Sequence, residues 1–147
     1  MAESEQAERT ERTERADRAD LGAMVMRLGR RLLAMEQPIL ERHGVSMWAY
    51  VVLTALRDGP ARAQATLATA INADKTRLIP ILDDLQKRGL IERDPDPADR
   101  RVRLLQLTPE GRRLQEAVKK DIRAAEEKIL AGVPDKAAFL KGLEALS

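Results

Sequence analysis

The stretch from Asp74 to Gly111, DKTRLIPILDDLQKRGLIERDPDPADRRVRLLQLTPEG, leaves this chain few ways to fold. Its first part places Leu78, Ile81, Leu82 and Leu85 at helical spacing, and Gly89 follows the basic pair Lys87 and Arg88, where a helix would end. The spacing predicts a helix closing at Arg88. Two β-compatible segments come next, Leu90 to Arg93 and Arg101 to Leu107, separated by a turn that holds Pro95, Pro97, Asp99 and Arg100. That is a hairpin with a charged tip. Thr108 and Pro109 then open another helix as cap and first helical residue. Helix, hairpin and helix in this order describe a winged helix, in which the first helix can enter the major groove of a duplex while the wing follows its backbone. One residue conflicts with the pattern. Pro80 removes a backbone bond and pushes on the carbonyl of Thr76, at ~3 kcal/mol in a helix interior, so a kink is expected there. The apolar spacing nevertheless continues across it.

Upstream, Gln64 to Ala70 is a short Ala-rich helix with Leu67 and Ile71 turned inward. Asn72 and Ala73 make a turn, and Asp74 caps the helix that follows, so the pair reads as a helix-turn-helix. Lys75, Thr76 and Arg77 fall in the first turns of the second helix and face outward if the leucines face the core. Arg there suits guanine, and Thr suits a thymine methyl or a phosphate. A solvated polar face is the plain alternative, and the wing that follows tips the reading toward DNA. In the wing, Arg93, Arg100, Arg101 and Arg103 alternate with Asp94, Asp96 and Asp99. An Asp two residues before an Arg can pair with it across a tight turn and so fix a long side chain. A structural salt bridge of Asp99 with Arg101 is the plain reading of that pair.

Within these residues, RGLIER, the DRR wing tip and LTPEGRR resemble the wing and following helix of the MarR family of bacterial transcription regulators. Asp99, Arg101, Leu107, Thr108 and Gly111 stand at the matching positions. The resemblance extends more weakly over Leu21 to Ser147. It implies that Asp99 braces the wing, that Arg101 enters the minor groove, and that the first and last two helices of this stretch form a homodimer. A narrow A·T-rich minor groove attracts Arg, which agrees with that role.

The helices outside the winged helix fit this outline. Leu21, Val25, Leu28, Leu32, Met35 and Ile39 form a coiled-coil-like seam, and Met24 and Leu33 add a second apolar side. That is more apolar surface than a small winged helix covers, so part of it is expected to meet another subunit. Pro38 should bend or interrupt the end of this helix. A core helix follows from the cap candidate Ser46 and stops at Gly59 and Pro60. After the wing, Leu114, Val118, Ile122, Ala125 and Ile129 form one stripe, and a last helix carries Phe139, Leu140, Leu143 and Leu146. The expected dimer face comprises Leu21, Val25, Leu28, Leu114, Val118, Phe139, Leu140 and Leu143; the alternative is that these helices cover only the monomer's core.

Residues 1–20 are different in kind. They hold seven acidic residues and four Arg with no large apolar side chain apart from Met1, which predicts a disordered or frayed tail. Pairs such as Glu8 with Arg12 and Glu11 with Arg15 would instead support a solvated extension of the first long helix. The net charge of +2 therefore hides a basic remainder, with 22 basic against 17 acidic residues.

The residue inventory narrows the chemistry. The chain has 147 residues, no Cys and a single His, His43, with Ser only at Ser4, Ser46 and Ser147, so no nucleophilic triad, thiolate site or His-based metal site can be assembled within it. No catalytic residue, metal or cofactor is expected. No apolar run is long enough to span a bilayer and no signal core is present, which gives the expectation of a cytoplasmic protein without membrane contact. His43 lies near Met35, Met47 and Trp48 in sequence, and these four are a candidate pocket for a small apolar or phenolic effector, as the family resemblance implies.

The expected fold is mainly α with a small β-hairpin wing, a winged helix-turn-helix at about 46–107 plus helical dimerisation segments at about 21–42 and 108–147. The expected partners are double-stranded DNA, held by Lys75, Thr76, Arg77, Arg100, Arg101 and Arg103, a second copy of the chain, and the effector. A winged helix used for protein contact, or a small-ligand-binding protein without DNA binding, is the alternative.

Overall fold

A computed structural model describes residues 2–59 and 62–147, with the side chains of 2, 3 and 14–17 outside the description. The expected helix stop at Pro60 and the expected pairing by Arg15 therefore lie outside the described residues. In chain order the elements are α1 (Ala2–Asp17), α2 (Leu21–Arg42), α3 (Met47–Arg57), β1 (Arg62–Ala63), α4 (Gln64–Ala70), α5 (Lys75–Lys87), β2 (Ile91–Pro95), β3 (Arg103–Leu107), α6 (Pro109–Leu130) and α7 (Lys136–Leu146). The chain divides into two compact units, one up to Ala34 and one from Met35 to Ser147.

In the first unit the segment expected to be a disordered tail is helical, and residues 18–20 separate it from α2. It is neither coil nor an extension of the longer helix. Thr10 and Thr13 donate their hydroxyls to the carbonyls of Gln6 and Arg9, each at 2.8 Å, bonds that keep polar side chains on the helix surface. α2 runs on into the second unit and passes through Pro38 without interruption.

The second unit is built on an aliphatic core. Leu40 of α2, Leu53 of α3, Leu67 of α4, Leu78, Leu82 and Leu85 of α5, Ile91 of β2, Leu105 of β3 and Val118 of α6 are all essentially inaccessible to water. Each helix of the winged helix thus contributes one apolar stripe to one core. The starts of α3, α5 and α6 are fixed by the side chains of the residues that precede them. Ser46 Oγ accepts from the Ala49 amide at 3.1 Å, Asp74 Oδ1 from the Thr76 amide at 2.7 Å, and Thr108 Oγ1 from the Gly111 amide at 3.0 Å.

The hairpin is part of a larger sheet than the sequence suggests. β2 and β3 pair antiparallel with Arg93 opposite Leu105, and β1 adds a third strand on the other side of β3, with Arg62 opposite Leu105, giving the order β1-β3-β2. The base of this sheet is tied to α5 and α6 by the LTPEG segment. Thr108 donates its hydroxyl to the Gly89 carbonyl at 2.7 Å, and its amide reaches the Leu90 carbonyl at 3.2 Å. Gly89 has φ +71°, a left-handed conformation that ends α5 without the penalty of a Cβ. At Gly111 the constraint is space, because a Cβ there would lie 1.9 Å from the Leu90 carbonyl oxygen.

Candidate nucleic-acid interface

The start of α5 presents the three residues singled out in its sequence. Lys75, Thr76 and Arg77 are all exposed, while Leu78 immediately after them is fully buried. The Asp74 cap fixes that register, since it anchors the first turn and lets the Arg77 and Leu78 amides both reach the Asp74 carbonyl, at 3.1 and 3.0 Å. The helix continues unbroken through Pro80, whose ring is exposed on the outward side. Arg77 is not free in solvent. Its guanidinium lies over the indole of Trp48 in α3, 5.5 Å from the ring centroid, a cation–π contact that leans the side chain toward α3.

At the wing tip, Arg100, Arg101 and Arg103 are exposed, and among the described residues none of them makes an ion pair. The expected side-chain pairing of Asp99 with Arg101 is corrected by the geometry. Asp99 Oδ1 accepts from the backbone amide of Arg101 at 3.0 Å, and Asp96 Oδ1 does the same for Ala98 at 2.9 Å. Two carboxylates each hold a backbone amide two residues on, the turn chemistry that short acidic side chains favour. Backbone bonds from Asp96 to Val102 and from Val102 to Asp99, both 2.9 Å, complete the tip. The tip is therefore braced through its backbone, and the guanidinium of Arg101 is left available.

Arg93 behaves differently from the other wing arginines. It turns back toward α5, where Nη1 donates to Asp83 Oδ1 at 2.7 Å, and its Nε and Nη2 are buried with no partner among the described residues. This ion pair joins β2 to α5 and sets the wing against the helix. Sequence spacing did not single out the pair, because Asp83 and Arg93 meet only once the turn at Gly89 folds the strand back along the helix.

The proposed ligand cluster is not gathered into one place. Met35 lines a groove of about 330 Å³ with Pro38, Ile39, Arg42, Ala125 and Lys128, between the end of α2 and α6. His43 bonds through Nε2 to Asp121 Oδ2 at 2.8 Å, and Asp121 lines the same groove. Met47 instead packs on the aliphatic core, and Trp48 is engaged by Arg77. Nearby, burial and the Glu126 carboxylate raise the Glu36 carboxyl above its ordinary value. Tyr50 is also raised, chiefly by burial.

The residues expected at a subunit face divide in the same way. Val118 is fully buried in this chain's own core and so is withdrawn from any interface, while Leu114 is half-buried and packs against that core. The α6 stripe faces inward because α3 lies along it. Leu21, Val25, Leu140 and Leu143 are exposed, whereas Leu28 and Phe139 are half-buried. Among the described residues, no helix is long and apolar enough to cross a membrane, and no group of three His, Cys, Asp or Glu side chains could hold a metal.

Comparison with known proteins agrees with this geometry. The sequence model of the MarR family matches residues 45–102. A putative transcriptional regulatory protein for the hcr operon of Thauera aromatica is 34% identical over 73 residues, which are 50% of this chain and 44% of that protein. The chain thus spans less than half the length of that curated relative. Among solved structures, CouR from Rhodococcus jostii RHA1 bound to p-coumaroyl-CoA is 30% identical with a TM-score of 0.75, over 86% of this chain and 89% of that one. The transcriptional repressor CouR bound to a 23-mer DNA duplex is 26% identical with a TM-score of 0.76, over 90% and 92% of the two chains.

Proposed function

The chain belongs to the MarR family, and from that premise we propose that it is a sequence-specific DNA-binding transcription regulator, a repressor that grips a pseudopalindromic operator as a homodimer. The observation that carries this reading is the pairing of two cationic features on one fold. Lys75 and Arg77 stand at the start of α5, and Arg100, Arg101 and Arg103 stand exposed, without an ion pair among the described residues, on a wing locked to that helix by Arg93 and Asp83. In this reading α5 contacts the major groove, and Arg101 enters the minor groove as the family resemblance implies. In this reading the winged helix-turn-helix occupies about 46–107, and the helices at about 21–42 and 108–147 serve dimerisation, without catalysis and in the cytoplasm. A second copy is favoured by α7, which has no buried residue and exposes Leu140, Leu143 and Leu146.

A small apolar or phenolic effector suits the groove at Met35, whose apolar floor of Pro38, Ile39 and Ala125 is bordered by Arg42 and Lys128. CouR, a relative over most of the chain, has been solved with p-coumaroyl-CoA bound.

The test is duplex binding as a function of salt and of the wing. Affinity should fall steeply with salt, as counterions released from phosphates require. Arg101→Ala should weaken binding by about 1–3 kcal/mol with folding intact. Salt-independent binding would reject the reading, and unchanged affinity of Arg101→Ala at moderate salt would reject the role of the wing.

A further inference from the structure

Of the large hydrophobic side chains exposed among the described residues, all but one lie on α2 or α7, the helices assigned above to the proposed dimer. The exception is Ile79, 47% exposed on α5. Leu78, Leu82 and Leu85 define the buried face of that helix. At 3.6 residues per turn, Thr76, Ile79, Pro80 and Asp83 then fall on the opposite half, and all four are exposed. The resulting strip has a particular chemistry. Ile79 and Pro80 offer only carbon, and Thr76 adds a methyl beside its hydroxyl. Lys75 and Arg77 border the strip at the helix start, and the charge of Asp83 is held by Arg93. Cations that favour a polyanion therefore flank an apolar patch, on the half of the helix that would enter the groove first.

A duplex offers one apolar group on its major-groove edge, the C5-methyl of thymine. Resting on the regulator reading above, we infer that Ile79 is a specificity-determining residue whose side chain, with Pro80 beside it, covers a thymine methyl in each half-site. The contact removes apolar surface of both partners from water without leaving a donor or acceptor unpaired. Cytosine at the same position would set its amino group against a side chain that cannot accept from it.

The methyl can be deleted from the DNA as well as the side chain from the protein, so the contact is testable from both sides. Duplexes are first selected from a random library by the full chain, and each thymine is then replaced singly by deoxyuridine. One position per half-site should lose about three- to fivefold in affinity, as expected for one buried methyl. Ile79→Ala, which removes the contact from both half-sites, should lose about the square of that factor, roughly ten- to twenty-five-fold, on the unmodified duplex and show no further loss on the deoxyuridine duplex, with its melting temperature unchanged. Thr76→Ala should still respond to deoxyuridine. A flat deoxyuridine scan, or a methyl effect that persists in Ile79→Ala, overturns the inference while leaving the regulator reading in place. Failure to select any duplex overturns both.

Discussion

The winged helix and α7 draw on the same aliphatic residues and end in opposite states. In α5, Leu78, Leu82 and Leu85 are fully buried, the first turn is capped by Asp74, and what reaches solvent is mostly charged or polar. In α7, capped equally well by Asp135 through the Ala138 amide at 3.0 Å, Leu140, Leu143 and Leu146 reach solvent and nothing is buried. Local signals for a helix are thus satisfied in both, but only α5 buries its apolar face in the described core. Since the stability of a short helix comes mainly from burying its apolar face, α7 is the element that the proposed second copy would complete.

The sharpest way to break that contrast is to charge the face of α7. Leu140→Glu with Leu143→Glu should abolish the dimer at micromolar concentration and lower affinity for a selected inverted repeat by about a hundred- to a thousandfold, because one winged helix alone makes too few contacts. Sizing by light scattering, alongside duplex titration, reads both effects. A double variant that stays dimeric, or a wild-type chain that is monomeric, rejects the second copy as the partner of α7. The same substitutions should leave the core of the winged helix intact, since neither residue contributes to it.

The next effect lies inside the completed region. Gly111→Ala would put a Cβ against the Leu90 carbonyl, a backbone atom that Thr108 already holds through its amide. Overpacking of this kind costs about 1–3 kcal/mol, and the upper end is expected because backbone must shift. Thermal melting should show the loss, and hydrogen exchange should place it at the base of the wing. Dimer strength should change little. A melting temperature within error of wild type would mean that this close approach is not what fixes the wing to α6.

The two regions also differ in how far the sequence reveals them. The caps Ser46, Asp74 and Thr108 and the stop at Gly89 were legible because each acts within three residues of its own position. The helix-turn-helix and the hairpin followed from them. β1 was not legible, since two residues become a strand only by pairing with β3 more than forty positions away. Val118 was misassigned for a related reason. An apolar stripe shows that a helix has a buried face but not which partner buries it, and here α3 does so. For Met35, His43, Met47 and Trp48, nearness in sequence does not fix surroundings: Met35 and the Asp121 that bonds His43 border one groove, whereas Met47 packs on the core and Trp48 lies under Arg77. The wing correction is subtler. Asp99 does brace the tip, but through the Arg101 amide and not the guanidinium.

The smallest expected effect tests whether the seam between the C-terminal halves of α2 and α6 is as well settled as the core beside it. Glu36 is partly buried there, and its carboxyl is raised from an ordinary 4.5, first by burial and then by Glu126. Arg123 pairs with Glu126 at 3.1 Å, and Tyr50 of α3 is raised by its own burial and by both carboxylates. A raised folded-state value means that the folded protein holds the Glu36 proton more tightly than the unfolded chain does. Relative to acid, stability is therefore lost as pH rises through the folded value, and the cost is fully present at neutral pH. Glu36→Gln removes the charge but keeps the shape. It should raise the melting temperature at neutral pH by no more than about 2 °C. The gain should shrink on acidification and vanish once Glu36 is protonated in both states, below about pH 4.5. Melting curves of wild type and variant across this range decide the matter. A gain that persists unchanged in acid would assign the effect to packing, and a loss at neutral pH would mean that the Glu36 charge is stabilising and that the seam, like the core, is already satisfied.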